Sequence, residues 1–195
     1  LKGGHETPLI LNTIDSSEII KRIKKISVEL NAPIITGAIC FQLFQNLNSS
    51  SSKPTGDGRF FDVYNASLMI TPDNRKVQWA AKSKLVPFME RVPFLDNFSF
   101  MEKFHLSLNQ MKSSYAKPLQ QTIFTYRNIK AAPVICMESV FPDHIRDLVK
   151  KGANCLTVMT NESWSGTTIG PAQQAYYCVP LALTMNRSIA RSANS

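Results

Sequence analysis

The sequence predicts an α/β fold in which helices are layered on a mixed β-sheet. Strand-like and helix-like stretches alternate along the 195 residues instead of being segregated. Turn chemistry joins some neighbouring strands into hairpins, while helical stretches separate others and allow crossovers. The composition, 44% hydrophobic and 18% charged, is that of a globular chain long enough to bury a core.

The elements follow in order. Asp15-Ser16-Ser17-Glu18 places N-cap residues before an acidic first turn, and Ile19, Ile20, Ile23, Ile26 and Leu30 recur at helical spacing. That predicts an amphipathic helix ending near Asn31-Ala32-Pro33, followed by a buried strand over Pro33 to Phe41. The Ser-rich stretch Asn48 to Gly58 predicts a flexible surface loop. Phe61 to Ile70 and Lys76 to Ser83 read as a hairpin closed by Thr71-Pro72-Asp73-Asn74. Leu85 to Lys117 is the least regular segment. It is dense in Phe and Met, which suits either a core cap or an apolar lid over a lipid pocket. A second strand pair is expected at Gln121 to Arg127 and Ile129 to Cys136. A short helix follows from Pro142 to Lys151, with Pro in its first turn and Gly152 at its C-terminal end. Asn154 to Thr160 reads as a buried strand and Ser188 to Ala193 as a last short one. Gln173 to Asn186 reads as a helix that Pro180 should kink or shorten.

Charge and cysteine content narrow the function classes. There are 22 Lys and Arg against 14 Asp and Glu, a net charge of +8. This suits a solvated basic surface or one working beside anionic headgroups. No zinc-finger spacing or aromatic-and-basic signature accompanies it, so nucleic acid is not an expected partner. Cys40, Cys136, Cys155 and Cys178 form no CxxC pair, and His5, His105 and His144 are scattered. Neither a metal site nor any other cofactor is expected. Cys40 and Cys155 lie in apolar runs and read as small core residues. No apolar run reaches the roughly 18–20 residues that span a bilayer. The chain opens on Leu1 and stops after Ala193-Asn194-Ser195, and it reads as a piece of a longer protein, truncated at both ends.

Cys136 is the candidate nucleophile. It ends the apolar run Ala131 to Ile135 and precedes a turn, a junction that exposes a side chain and points backbone N–H groups toward it. By position alone, a buried core cysteine is the commoner outcome. A thiol nucleophile also needs a base and a cation for developing oxyanion charge. Glu6 and Lys82 can fill those roles, although each alone is by default a surface charge.

At these residues the chain resembles the nitrilase superfamily, whose catalytic set is Glu, Lys and Cys, and within it the apolipoprotein N-acyltransferase family. Glu6-Thr7-Pro8, Tyr64-Asn65-Ala66-Ser67, the Lys82 to Pro93 run and Ile135-Cys136-Met137-Glu138 carry the resemblance. Gly152-Ala153-Asn154, Thr160 to Gly166 and Ala190 to Ser195 extend it over nearly the whole chain. The resemblance implies a nitrilase-like αββα sandwich. It implies that Glu6 is the general base, Cys136 the nucleophile, and Lys82 with the backbone N–H of Met137 the oxyanion site. It casts Glu90 as support for the lysine and Glu138 as an orienting acid, and places Phe88 and Trp164 in the substrate pocket. The implied partners are a phospholipid acyl donor and a diacylglyceryl lipoprotein acceptor, with membrane attachment through segments outside this chain. The implied location is the periplasmic face of the bacterial inner membrane.

The chain departs from the family pattern at Met137, where Tyr is usual, and at Met89 and Glu162, where Gly and Asp are usual. Leu181 and Thr184 stand where Arg and Glu are usual, which should loosen that helix. Two other readings stay open. One is a soluble carbon–nitrogen hydrolase using the same triad on an amide or nitrile. The other is a catalytically weakened binding homologue.

Overall fold

The computed structural model describes residues 9–73, 75–87, 90, 115–163 and 168–194. Two sheets form the centre. The first holds β1 (Leu9–Ile10), β2 (Ile34–Phe44), β4 (Phe60–Ile70) and β3 (Lys53–Pro54) in the order β1-β2-β4-β3, with β5 (Gln78–Ala81) also on β4. The second holds β6 (Phe124–Tyr126), β7 (Ile129–Ile135), β8 (Cys155–Thr160) and β9 (Ser188–Ala193) in sequence order. Both hairpins form as predicted: β4 pairs β5 and β6 pairs β7 antiparallel, whereas β7, β8 and β9 run parallel. The sheets are therefore mixed.

Strand alternation decides what lies between and outside the sheets. Along β4, Tyr64, Ala66, Leu68 and Ile70 share a core with Ile20 and Ile23 of α1 (Glu18–Leu30), while Met69 points the other way. Along β7, Ala132 and Val134 share a core with Ile145 and Leu148 of α2 (Pro142–Lys150) and Leu181 of α3 (Gly170–Met185). Ala131 instead joins Met69, Ala80, Phe124 and Tyr126 in a third cluster between the sheets. The period-two alternation of each strand thus yields helix, sheet, sheet and helices in succession, the expected αββα sandwich. Each buried Ile or Leu in these layers contributes about 1.5–3 kcal/mol. Gln78 adds a polar stitch, its side-chain amide bonding both the N–H and the carbonyl of Thr125 at 2.8 Å.

Four expectations are corrected. β2 is not a fully buried strand: only Cys40 is buried in it, because Ile35 to Ile39 wall a cleft. The Ser-rich loop is knit, not free. Asn48, Ser49 and Ser52 all donate to the fully buried carboxylate of Asp62, at 2.8, 3.0 and 2.7 Å. Cys155 is half-buried at the start of β8. Finally, α3 runs through Pro180 to Met185 and begins at Gly170. The Pro180 ring lies on an exposed face, while Leu181 beside it is buried in the core and Cys178 and Met185 pack there. That packing sustains the helix across the missing N–H. Leu181 therefore anchors the helix at the position where an ion pair was expected to be lost. The predicted stop of α2 is present: Gly152 follows it at φ +100°, a conformation that suits glycine.

The proposed lid, residues 85–117, lies largely outside the described residues, as do Glu6, Phe88 and Trp164.

Candidate active site

The site is built where a strand end of each sheet meets the other. On the first sheet, Lys82 follows β5 and extends its ladder, its N–H donating to the Asn65 carbonyl at 2.7 Å. This places a lysine at only 1% exposure between the sheets. Such a charge requires a partner, and Glu90 supplies it: Lys82 Nζ lies 2.9 and 2.7 Å from the two carboxylate oxygens. Glu90 also accepts from the Asn65 amide at 2.9 Å and from the Val86 N–H at 2.8 Å. The pair is thus held in a fixed orientation.

On the second sheet, Cys136 directly follows β7 and opens a 3₁₀ turn over Cys136–Val140. Its φ is +51°, a left-handed conformation that a residue with a Cβ adopts at a cost of about 1–2 kcal/mol. Here the turn lifts the side chain off the strand. The Ser139 hydroxyl steadies the turn by donating to the Cys136 carbonyl at 3.0 Å.

Glu138 joins the two strand ends. One carboxylate oxygen accepts from the Ser83 N–H (2.7 Å), the Ser83 hydroxyl (2.9 Å) and the Lys84 N–H (3.1 Å). The other accepts from the Ile135 N–H at 2.9 Å. One buried acid therefore holds the residue after Lys82 and the residue before Cys136. Beside it, His144 Nε2 lies 3.5 Å from Glu138 Oε1, and Nδ1 lies 2.8 Å from the Gln121 amide nitrogen. Burial lowers the His144 pKa from its usual 6.5, Glu138 opposes that, and Lys84 reinforces it.

Lys82, Glu90, Cys136 and Met137 line one cleft of about 1080 Å³. Ile35, Ile39, Val86, Val140 and Met159 give it apolar walls, and Asn65, Thr160 and Gln174 add polar groups. The arrangement combines a thiol, an oriented buried cation and an apolar cavity, which is the equipment of covalent acyl chemistry. Three contributors did not stand out in the sequence as site residues: Asn65, Ser83 and Gln174. Asn65 belongs to Tyr64-Asn65-Ala66-Ser67, and its inward position on β4 next to the hairpin is the available signal. The other two are single polar residues whose role depends on what the fold brings beside them.

A carbon–nitrogen hydrolase family model matches residues 7–182, and the chain belongs to that family. Among curated relatives, an apolipoprotein N-acyltransferase from Chlorobaculum tepidum is 31% identical over 96% of this chain and 36% of its own length. One from Bdellovibrio bacteriovorus is 27% identical over 85% of this chain and 29% of its own. The chain thus spans about a third of the length of these relatives. Among solved structures, Saccharomyces cerevisiae Nit3, a member of the nitrilase superfamily, superposes with a TM-score of 0.57 at 14% identity, covering 91% of this chain and 51% of that one. An amidase from Nesterenkonia sp. gives 0.52 at 10% identity, covering 89% and 51%. These structures establish the shared nitrilase-like fold. Among the described residues, no helix is long and apolar enough to cross a membrane.

Proposed function

We propose that this chain is the catalytic part of an apolipoprotein N-acyltransferase, with Cys136 as nucleophile, Lys82 as oxyanion cation and Glu6 as general base. The observation that carries the reading is the convergence of Cys136 and the buried Lys82–Glu90 pair on one largely apolar cleft. The names of the curated relatives add to it. β1 pairs Leu9 with Cys40, and the β2 residues preceding Cys40 wall the cleft, which is consistent with Glu6 serving it from the chain leading into β1.

In the first half-reaction Glu6 takes the thiol proton and Cys136 Sγ attacks the ester carbonyl of a phospholipid acyl chain. Lys82 Nζ and the Met137 backbone N–H hold the oxyanion. The C–O bond breaks, Glu6 returns the proton to the departing lysophospholipid, and a thioester remains. In the second, the α-amine of a diacylglyceryl-cysteine lipoprotein attacks. Its nitrogen–carbon bond forms, the C–S bond breaks, and the amine proton passes through Glu6 to the thiolate. Glu90 aims Lys82, and Glu138 positions both strand ends. Phe88, Trp164 and the aromatic-rich segment 85–117 are assigned to covering the acyl chain. The reaction takes place at the periplasmic face of the inner membrane, through membrane segments outside this chain, and needs no cofactor.

The test is mass spectrometry of the protein after exposure to phosphatidylethanolamine vesicles. The expected result is a hydroxylamine-labile acyl adduct on Cys136 that is absent in Cys136→Ala. A folded protein that gains no such adduct overturns the reading.

A further inference from the structure

One polar side chain reaches the reacting sulfur without a role so far. Gln174 stands in the second turn of α3 and is half-buried. Its amide nitrogen Nε2 lies 3.9 Å from Cys136 Sγ, within hydrogen-bonding reach of a sulfur acceptor. The other end of the amide is occupied: Thr160 Oγ1 donates to Gln174 Oε1 at 3.5 Å. Thr160 ends β8 and is buried, so its hydroxyl anchors the amide beside the thiol. An oxygen cannot donate to Sγ. Nε2, with its two N–H donors, is the end of the amide that faces the sulfur.

We infer that Gln174 is a further catalytic residue, which stabilises the Cys136 thiolate by donating an amide N–H to Sγ. The inference rests on Cys136 being the nucleophile. When Cys136 loses its proton to the base, the electron pair stays on Sγ, and a hydrogen bond to a charged acceptor is about twice as strong as one to the neutral thiol. The amide therefore favours the ionised, attacking form. It does so as a neutral group and adds no charge to a cleft where Lys82, Glu90 and Glu162 are the charged lining residues among those described. In the thioester the sulfur becomes a poor acceptor. The interaction is then lost, and it is regained when the acyl group departs, so the same contact helps Sγ leave. Thr160 is a positioning residue that acts through Gln174.

The test is the rate of iodoacetamide alkylation of Cys136 as a function of pH, followed by peptide mass mapping. Cys40 is a built-in control, since burial pushes its pKa up to about 12. Gln174→Leu keeps the side-chain bulk and helix propensity but removes the donor, and is expected to slow alkylation about tenfold at pH 7. Gln174→Glu places a carboxylate by the sulfur and is expected to slow it more. At pH 10 the rates converge with that of the unsubstituted protein, because the hydrogen bond acts on ionisation rather than on access. Coincident profiles for folded Gln174→Leu, Gln174→Glu and the unsubstituted protein overturn the inference. If the Gln174 variants do not fold, Thr160→Val decides: slower alkylation at pH 7 supports the role, and an unchanged profile refutes it. The acyltransferase reading is judged separately by the phosphatidylethanolamine adduct on unsubstituted Cys136. No adduct with a Gln174-dependent alkylation rate sinks that reading alone, and an adduct with coincident alkylation profiles sinks this inference alone.

Discussion

Lys82 and Cys136 sit at the ends of facing strands and are held in opposite ways. Lys82 is almost wholly buried and held by its backbone ladder, in contact with both oxygens of one carboxylate that two other donors keep in place. Cys136 is half-buried, in a left-handed conformation, and its sulfur meets a single amide among the described hydrogen bonds. The difference fits the roles proposed for them. A cation that stabilises an oxyanion works best when its orientation is set in advance, so that no reorganisation accompanies the reaction. A nucleophile must form and break a bond to a large substrate, and close packing around its sulfur would exclude the acyl group.

The sharpest way to break this comparison is to free the cation. Glu90→Gln keeps the shape of the partner but leaves a buried lysine uncompensated, and should lower stability by about 3–5 kcal/mol. Urea denaturation measures it. The double variant Lys82→Met/Glu90→Gln should recover much of that stability while abolishing Cys136 acylation. If Glu90→Gln is as stable as the unsubstituted protein, the account of Lys82 as a rigidly paired charge is wrong.

Next in size is the link between the two ends. Glu138→Gln loses one carboxylate acceptor and strands an N–H on one side of the link, at a cost of about 1–3 kcal/mol. Because the two strand ends are then no longer tied, turnover should fall more than a stability loss of that size explains. A variant with normal turnover would show that Glu138 supports the fold only.

His144 sharpens the comparison through pH. Its folded-state pKa lies below the usual 6.5, so the unfolded chain binds the proton more readily. Stability from this residue is therefore complete at higher pH and is lost as pH falls below about 6.5, by at most about 1.4 kcal/mol per pH unit. His144→Gln should flatten the stability–pH curve just below 6.5. An unchanged slope would mean that His144 titrates alike in both states. The Gln keeps a polar group for Ser83 and Gln121, whose contacts to Nδ1 are 3.3 and 2.8 Å.

The smallest expected effect concerns the Cys136 backbone. At φ +51°, Cys136→Gly should be more stable than Cys136→Ala by about 0.5–1 kcal/mol, after allowing for the greater unfolded-state freedom of glycine. Thermal denaturation of the two variants compares them directly. Equal stability would remove the claim that the strand end holds its nucleophile under strain.

Helix α1, both hairpins, the stop of α2 at Gly152 and the parallel strands β8 and β9 could be read in sequence because their signals are local. Capping residues, turn residues and hydrophobic period act over a few positions. The misreadings have one cause. Whether β2 is covered, whether the serines near position 50 are tethered and whether Pro180 ends α3 all depend on what packs against them. Asp62 lies beyond the loop it ties, the core that receives Leu181 beside Pro180 comes from β7, α2 and β8, and the cleft that leaves β2 open has its opposite wall on the second sheet.

The same division applies to the site. The sequence by itself determined the run of strands and helices and a mixed sheet, and its family resemblance implied the αββα layers and marked Cys136, Lys82, Glu90 and Glu138. Only the tertiary structure decided that Lys82 is buried, that its charge is carried by Glu90, that one carboxylate of Glu138 joins the two strand ends, and that Gln174 faces the sulfur. The physical reason is range. Propensity and periodicity are properties of neighbours along the chain, whereas a hydrogen bond or an ion pair forms between groups within about 3–4 Å in space. The fold brings together residues such as Ser83 and Glu138, or Cys136 and Gln174, whose separation along the chain leaves no local trace of their contact.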